Sequence, residues 1–105
     1  MDHVSVYVTF PDADVARRVC RALVEERLVA CANLAPTESL YEWEGRLEEA
    51  REVAAFCKTR AALVGRVAAR VKELHPYEVP CVVAFPLLGG HGPYLAWIDA
   101  QTRSA

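Results

Sequence analysis

The residues with the clearest capacity for chemistry are a histidine next to two prolines and the cysteines of the chain. His75 ends a predicted helix and precedes a stretch, 76–80, that contains both prolines. Because proline restricts the backbone, this stretch would hold the imidazole in one position, where it can bind Cu²⁺ or Zn²⁺. The alternative is an ordinary histidine at a helix end, stabilised by the negative end of the helix dipole. The residues alone leave both interpretations open.

The cysteines are too far apart in sequence to indicate a familiar thiol site; they are Cys20, Cys31, Cys57 and Cys81. Without a C-x-x-C pair, the sequence predicts neither a redox dithiol nor a structural zinc knuckle. Residues 1–3 lack the basic and apolar regions of a signal peptide, so we expect a cytoplasmic protein whose thiols stay reduced. Buried, apolar cysteines are therefore the simplest interpretation.

The length and the net charge of the chain exclude several classes of function. A chain of 105 residues predicts one domain, 1–105. The net charge of −2, with Lys and Arg interspersed among Glu, argues against nucleic acid as a partner. No apolar run reaches the ~18 residues that span a bilayer, which argues against a membrane partner. No serine has the context of a nucleophile elbow and no Ser-His-Asp or Cys-His arrangement is apparent, so we expect no enzymatic activity.

Alternation and helical periodicity predict the elements that must position these residues. The chain begins with a strand at 4–10, whose even-numbered residues are strongly apolar. A helix capped by Asp12 and reaching Val24 follows, and then a central strand at 29–34 that is ended by Pro36. Next comes a hairpin at 39–58 that turns at Gly45. The last predicted elements are a helix at 61–74, a strand at 82–88 and a short helix at 94–101. This order predicts an α+β fold, a ferredoxin-like βαββαβ sandwich with a long protruding hairpin and a short C-terminal helix.

The hairpin is long for a chain of this size, and its tip cannot reach the core. Tyr41 and Trp43 share one face of its first strand, whereas the tip alternates Glu with Arg. A two-stranded ribbon is marginal alone in water, and an exposed strand edge invites pairing. We therefore expect the hairpin to pair with other copies of the same chain. The alternative is that both aromatic residues pack against their own subunit.

Taken together, several segments resemble the CutA family of divalent-cation tolerance proteins. The matching segments are T-F-P-D at 9–12, L-V-E-E-R-L-V-A-C-A-N-L at 23–34, E-S-L-Y-E-W-E-G at 38–45, Glu52, K-T at 58–59, H-P-Y-E-V-P at 75–80 and Y-L-A-W at 94–97. The resemblance implies a tight homotrimer with hairpin strands joined across subunits, and a fold related to the PII signalling proteins. It also implies a cytosolic role in tolerance to copper and other divalent cations, with no established enzymatic reaction.

The resemblance also implies metal ligands. Copper or another divalent cation would be bound weakly by His75 and Cys31, whereas Cys81 is a further candidate that the resemblance does not imply. Cys31 would be a soft ligand at a subunit boundary, although so apolar a strand equally suggests a buried, inert thiol. The chain departs from the family at three positions, having Val8 in place of a cysteine, Leu74 in place of a histidine and Cys81 in place of a glutamate. The last change removes a hard carboxylate and adds a soft thiol, which favours Cu(I) or thiophilic ions. The alternative is that the change removed a functional pocket and Cys81 serves only in packing.

A second set of residues matches the family's polar and aromatic positions around a cleft between subunits; these are Tyr41, Trp43, Glu52, Lys58, Tyr77 and Tyr94. A lysine near a glutamate in a partly dry cleft can bind a small anionic molecule. The alternative is a structural ion pair with aromatic packing. Two functions follow from these sets, namely a trimer that binds or buffers divalent metal, and a PII-like or ACT-like module that senses an anionic metabolite and signals to an unknown protein partner.

Overall fold

The computed structural model describes residues 2–103. Its elements are β1 (His3–Phe10), α1 (Ala13–Glu25), β2 (Cys31–Trp43), β3 (Arg46–Arg60), a 3₁₀ turn (Ala61–Leu63), α2 (Val64–Leu74), β4 (Val82–Pro86) and α3 (Gly92–Gln101). The strands form one antiparallel sheet in the order β2-β3-β1-β4. The predicted ferredoxin-like α+β fold, with its protruding hairpin and C-terminal helix, is confirmed.

One face of the sheet carries the hydrophobic core. Alternate side chains point to opposite faces of a strand, and the apolar residues of β1 from Val4 to Phe10 therefore share a face and are buried. Helices α1 and α2 cover that face with Val19, Leu23 and Val67, all without measurable exposure. Burial of each such side chain contributes about 1.5–3 kcal/mol. The core therefore fixes β1 at the centre of the sheet, beside the longer β3.

The structure corrects the predicted break at Pro36. Instead of a central strand at 29–34 and a separate hairpin from 39, β2 runs without interruption from Cys31 to Trp43, and Pro36 lies opposite Val53. Proline lacks an N–H donor and is tolerated on an edge strand, where one row of backbone groups has no ladder partner. Since β2 is the edge strand of the subunit's sheet, the prediction of a central strand was also wrong.

The hairpin extends well past the other strands. β1 ends at Phe10, opposite Val53, so β3 is paired only with β2 from Glu52 to the tip. Glu44 and Gly45 form a two-residue turn with φ of 51° and 78°. Positive φ at both positions is the signature of a type I′ turn, whose twist matches the flanking strands. The turn predicted at Gly45 thus has a clear backbone reason.

The second face of the sheet is only partly covered by the subunit itself. Helix α3 covers one end, where Asp99 Oδ1 lies 2.8 Å from His3 Nε2 and Arg60 donates to Thr102. The rest of this face presents aromatic side chains, with the rings of Phe56 and Phe85 packed edge-on against Tyr7. Phe56 and Phe85 remain 38% and 52% exposed. Within residues 2–103, no helix has the length and apolar character needed to cross a membrane.

Candidate functional site

A groove of about 790 Å³ lies between the hairpin and the segment that follows α2. Its aromatic walls are Tyr7, Tyr41, Trp43 and Tyr77. Its acidic residues are Glu38, Glu52 and Glu78, and Cys81 also lines it. Among the described residues that line it, none is a lysine or an arginine. The groove therefore combines aromatic surface with negative charge.

Glu52 is the buried charge of this groove. It lies on β3, just beyond the point where β1 ends, and only 7% of it is exposed. The Tyr77 hydroxyl donates a hydrogen bond of 2.8 Å to its Oε2 atom. Burial, together with this bond to a negative carboxylate, raises the pKa of Tyr77 well above its usual value. The phenol therefore stays protonated and remains a donor to Glu52.

His75 connects the groove to the core. At the C-cap of α2, it is 7% exposed and its ring stacks on Phe10, with centroids 5.0 Å apart. Its Nε2 donates to the Thr9 carbonyl at 2.7 Å, and its Nδ1 accepts the Tyr77 amide at 3.1 Å. Both ring nitrogens are thus engaged with the backbone. This arrangement matches a structural histidine at a helix end and leaves no lone pair free for a metal.

The three residues expected as metal ligands are not brought together within the subunit. Cys81 is exposed beside the groove, whereas the half-buried Cys31 lies 3.2 Å from the hydroxyl of Tyr94 on α3. His75 is held by its backbone contacts. Residues 2–103 contain no group of three His, Cys, Asp or Glu side chains arranged to hold a metal ion. The expected set therefore does not fit a metal site built by one subunit.

The predicted cleft residues separate into two groups. Tyr41, Trp43, Glu52 and Tyr77 line the groove, as described. Lys58 instead lies opposite Cys31 in the ladder and donates to the side chain of Asn33. The Tyr94 hydroxyl contacts the Cys31 thiol, and that contact raises the pKa of Tyr94. Lys58 lies six positions after Glu52 along β3, which corresponds to about 20 Å. Within one subunit, the proposed Lys–Glu anion site is therefore not formed.

The other cysteines behave as expected from the sequence. Cys20 on α1 and Cys57 on β3 are buried in the core. Contact with the Cys20 thiol and burial raise the pKa of Cys57, so this thiol stays protonated and unreactive. The prediction of buried cysteines is confirmed for these two residues and is wrong for Cys81.

Sequence reasoning missed the parts played by Tyr7 and Thr9. Both lie on the less apolar face of β1, which the alternation of the strand had already indicated. Tyr7 lines the groove, and the Thr9 carbonyl anchors His75. Only the register of β1 with β3 and β4 shows that these positions face the same groove.

Comparison with known proteins assigns the chain to a family. Residues 4–101 match the CutA1 divalent ion tolerance proteins. The chain belongs to this family. It is 43% identical over 100 residues to the divalent-cation tolerance protein CutA of Pyrococcus horikoshii, covering 95% of this chain and 98% of that protein. It is 45% identical over 101 residues to the human protein CutA, covering 95% of this chain and 56% of the human protein.

Solved structures of CutA proteins have the same fold. The periplasmic divalent cation tolerance protein CutA from Archaeoglobus fulgidus superposes with a TM-score of 0.94 at 38% identity, covering 96% of this chain and 99% of that one. The corresponding Thermus thermophilus protein gives a TM-score of 0.93 at 41% identity, with the same coverage. The resemblance inferred from the sequence is confirmed. The PII-like or ACT-like alternative gains no support, because the relatives named here are CutA or divalent-cation tolerance proteins.

Proposed function

We propose that the chain acts without catalysis as a cytoplasmic homotrimer that contributes to tolerance of divalent cations, copper among them. Membership of the CutA family carries this proposal, since the family is described by tolerance to divalent ions. The reduced cytosol would keep the chain's thiols available.

Two features of the subunit support self-assembly. Its sheet has two edges within the described residues, β2 and β4, and β2 alone is 13 residues long. Long unpaired edges are normally blocked or paired. Beside them lies the aromatic face of the sheet, and the hairpin exposes Leu40 by 66% and Leu47 by 71%. Pairing with further copies would cover both the edges and this exposed apolar surface.

Contact with the metal is weak in this proposal and uses exposed thiols. Cys81 is the exposed cysteine of the described chain, and Cys31 is half-buried at the edge strand. Thiols suit copper and zinc, whereas an imidazole bonded through both nitrogens does not. Coordination would need side chains from more than one subunit or from solvent, because residues 2–103 of one subunit provide no three-ligand cluster.

Native mass spectrometry and equilibrium dialysis test the proposal together on untagged protein. We expect a trimer mass and weak uptake of Zn²⁺ or copper, reduced at least threefold in the double variant Cys31→Ser, Cys81→Ser. His91→Ala, which removes an exposed imidazole, serves as the control and should leave uptake unchanged. A monomer, or uptake that persists in the double variant, would refute the corresponding part of the proposal.

A further inference from the structure

We propose that Cys20 and Cys57 form a reversible disulfide that links α1 to β3 inside each subunit when an oxidant is present. The inference assigns a modification site apart from the groove and from the proposed metal contact, and it does not depend on metal tolerance. It rests on the position of the two thiols, on their mutual contact and on the packing of α1 against β3.

Both cysteines belong to the core face of the sheet, which the subunit's own helices cover. Cys20 on α1 is 4% exposed, and Cys57 on β3 has no measurable exposure. In the ladder, Cys57 lies opposite Val6, a core residue of β1, and residues opposite each other point to the same side of a sheet. The surroundings of the pair therefore come from one subunit, and copies that join at the sheet edges or at the aromatic face leave them unchanged.

The two thiols are in contact and are not yet bonded. Both cysteines are free, and a hydrogen bond joins their side chains. The fully buried Ala16 and Ala55 stand beside them, and these small side chains let α1 approach β3 until Cα atoms of the two elements lie within 8 Å. A disulfide needs Cα atoms about 4.4–6.8 Å apart. Since the thiols already touch, a small movement of two side chains brings the sulfur atoms to bonding distance.

The two thiols differ, and the difference sets the order of the reaction. Their hydrogen bond lowers the pKa of Cys20 and raises the pKa of Cys57. Cys57 therefore keeps its proton and starts no reaction. Cys20 has the greater exposure and supplies the thiolate, which is the nucleophilic form.

Hydrogen peroxide is an oxidant that balances the reaction. The Cys20 thiolate attacks one peroxide oxygen, the O–O bond breaks, and the products are a Cys20 sulfenic acid and, with the proton that Cys20 released, one water. The Cys57 sulfur then attacks the Cys20 sulfur, the S–O bond breaks, and the Cys57 proton leaves with the hydroxyl group as a second water. Two thiols thus lose two electrons to one peroxide. External thiols reverse the bond by exchange, so in a reducing cytosol the disulfide is transient.

The disulfide would hold α1 on the sheet. It closes a loop from residue 20 to residue 57, which contains β2 and most of β3. Closing such a loop lowers the entropy of the unfolded chain. We expect oxidation to raise the urea midpoint of the assembled protein by about 1 M, at fixed protein concentration.

Peptide mapping under non-reducing conditions tests the proposal on the untagged, assembled protein. After treatment with hydrogen peroxide, remaining thiols are blocked with N-ethylmaleimide as the protein is unfolded, and trypsin is added. We expect V-C-R at 19–21 linked to E-V-A-A-F-C-K at 52–58, and dithiothreitol should separate them and restore the original urea midpoint. Blocked, unlinked cysteines in both peptides, or links to Cys31 or Cys81 instead, would overturn the proposal. A link that forms only when peroxide is added to urea-unfolded protein would overturn it as well.

Two variants separate the disulfide from general oxidation. Cys57→Ala removes the second thiol, so peroxide should not raise the midpoint and dimedone should label the sulfenic acid of Cys20. The double variant Cys31→Ser, Cys81→Ser keeps the pair and should show the same link and the same rise as the unchanged protein. A rise that persists in Cys57→Ala refutes the disulfide, and absence of dimedone labelling refutes Cys20 as the attacking thiol. If Cys57→Ala fails to assemble, Cys20→Ala replaces it, and a persistent rise has the same meaning.

Discussion

Replacing His75 by phenylalanine separates its structural role from a role as a metal ligand. Phenylalanine keeps a flat ring that can stack on Phe10, as the imidazole does at 5.0 Å. It removes both polar contacts, namely the donor to the Thr9 carbonyl at 2.7 Å and the acceptor for the Tyr77 amide at 3.1 Å. The paired part of β4 begins at Val82, opposite Val8, so Thr9 lies one residue past that pairing. No strand partner on that side can replace the imidazole.

The expected loss of stability follows from these two contacts. A buried polar group that loses its partner costs about 1–3 kcal/mol. The Thr9 contact is buried and should fall within this range, whereas the Tyr77 amide is part-buried and can be hydrated in the variant. We therefore expect His75→Phe to lower the free energy of unfolding by about 1–3 kcal/mol per subunit, most of it from the Thr9 contact. The ring packing is retained, so no cavity term is added.

Urea unfolding at fixed protein concentration measures this change, because unfolding of an assembled protein depends on concentration. The midpoint should fall while the denaturant slope stays constant. His91→Phe is the matched control, since His91 is exposed and its side chain makes no capping bond to α3. We expect its effect to stay within about 0.5 kcal/mol. Equal stability of His75→Phe and the control would refute the structural reading of His75. Abolished copper uptake in a stable His75→Phe variant would restore the imidazole as a ligand.

Two further predictions concern contacts outside the groove. The Thr59 side chain has no measurable exposure, and its hydroxyl donates a hydrogen bond of 2.6 Å to the Leu28 carbonyl. Thr59→Val should therefore lower the free energy of unfolding, measured with urea, by about 1–3 kcal/mol, whereas Thr59→Ser should recover most of that loss. The Arg70 guanidinium forms two hydrogen bonds of 2.9 Å to the Glu26 carboxylate and lowers its pKa. A lowered pKa in the folded state contributes stability above the unfolded pKa that is lost as the pH falls through the folded value. Arg70→Gln should therefore raise the Glu26 pKa in an NMR titration and remove this acid-dependent part of the stability; an unchanged Glu26 titration would refute the pairing.

Much of the fold was predictable because its signals are local. The alternation of β1, the Asp12 cap and the glycine at the hairpin turn each determine a structure within a few residues. Asp12 accepts from the Val15 amide at 2.9 Å, as an N-cap should. Pro36 misled the prediction because proline ends a strand only where its missing donor is needed. Whether that donor is needed depends on the position of β2 in the sheet, which is a tertiary property.

The site was less predictable for the same reason. Matching a family motif selected Glu52 and Lys58 together, yet pairing along β3 places them about 20 Å apart within a subunit. Likewise, the proline-rich setting of His75 suggested a positioned ligand. The ring is indeed positioned, but by bonds that consume both nitrogens. Residue type indicates which bonds a side chain can form, whereas the partners that already occupy its polar atoms are seen only in the three-dimensional structure.

His75 and the groove are parts of one arrangement. Through Thr9 the imidazole fixes the start of the segment after α2 to β1, and through the Tyr77 amide it fixes the direction of that segment. The Tyr77 hydroxyl is then able to reach Glu52 Oε2 at 2.8 Å. The histidine that resembles a metal ligand in the sequence thus acts as a positioning residue for an acidic, aromatic groove. The imidazole therefore acts on this surface through the Tyr77–Glu52 hydrogen bond that it helps to orient, and both of its nitrogens are used in doing so.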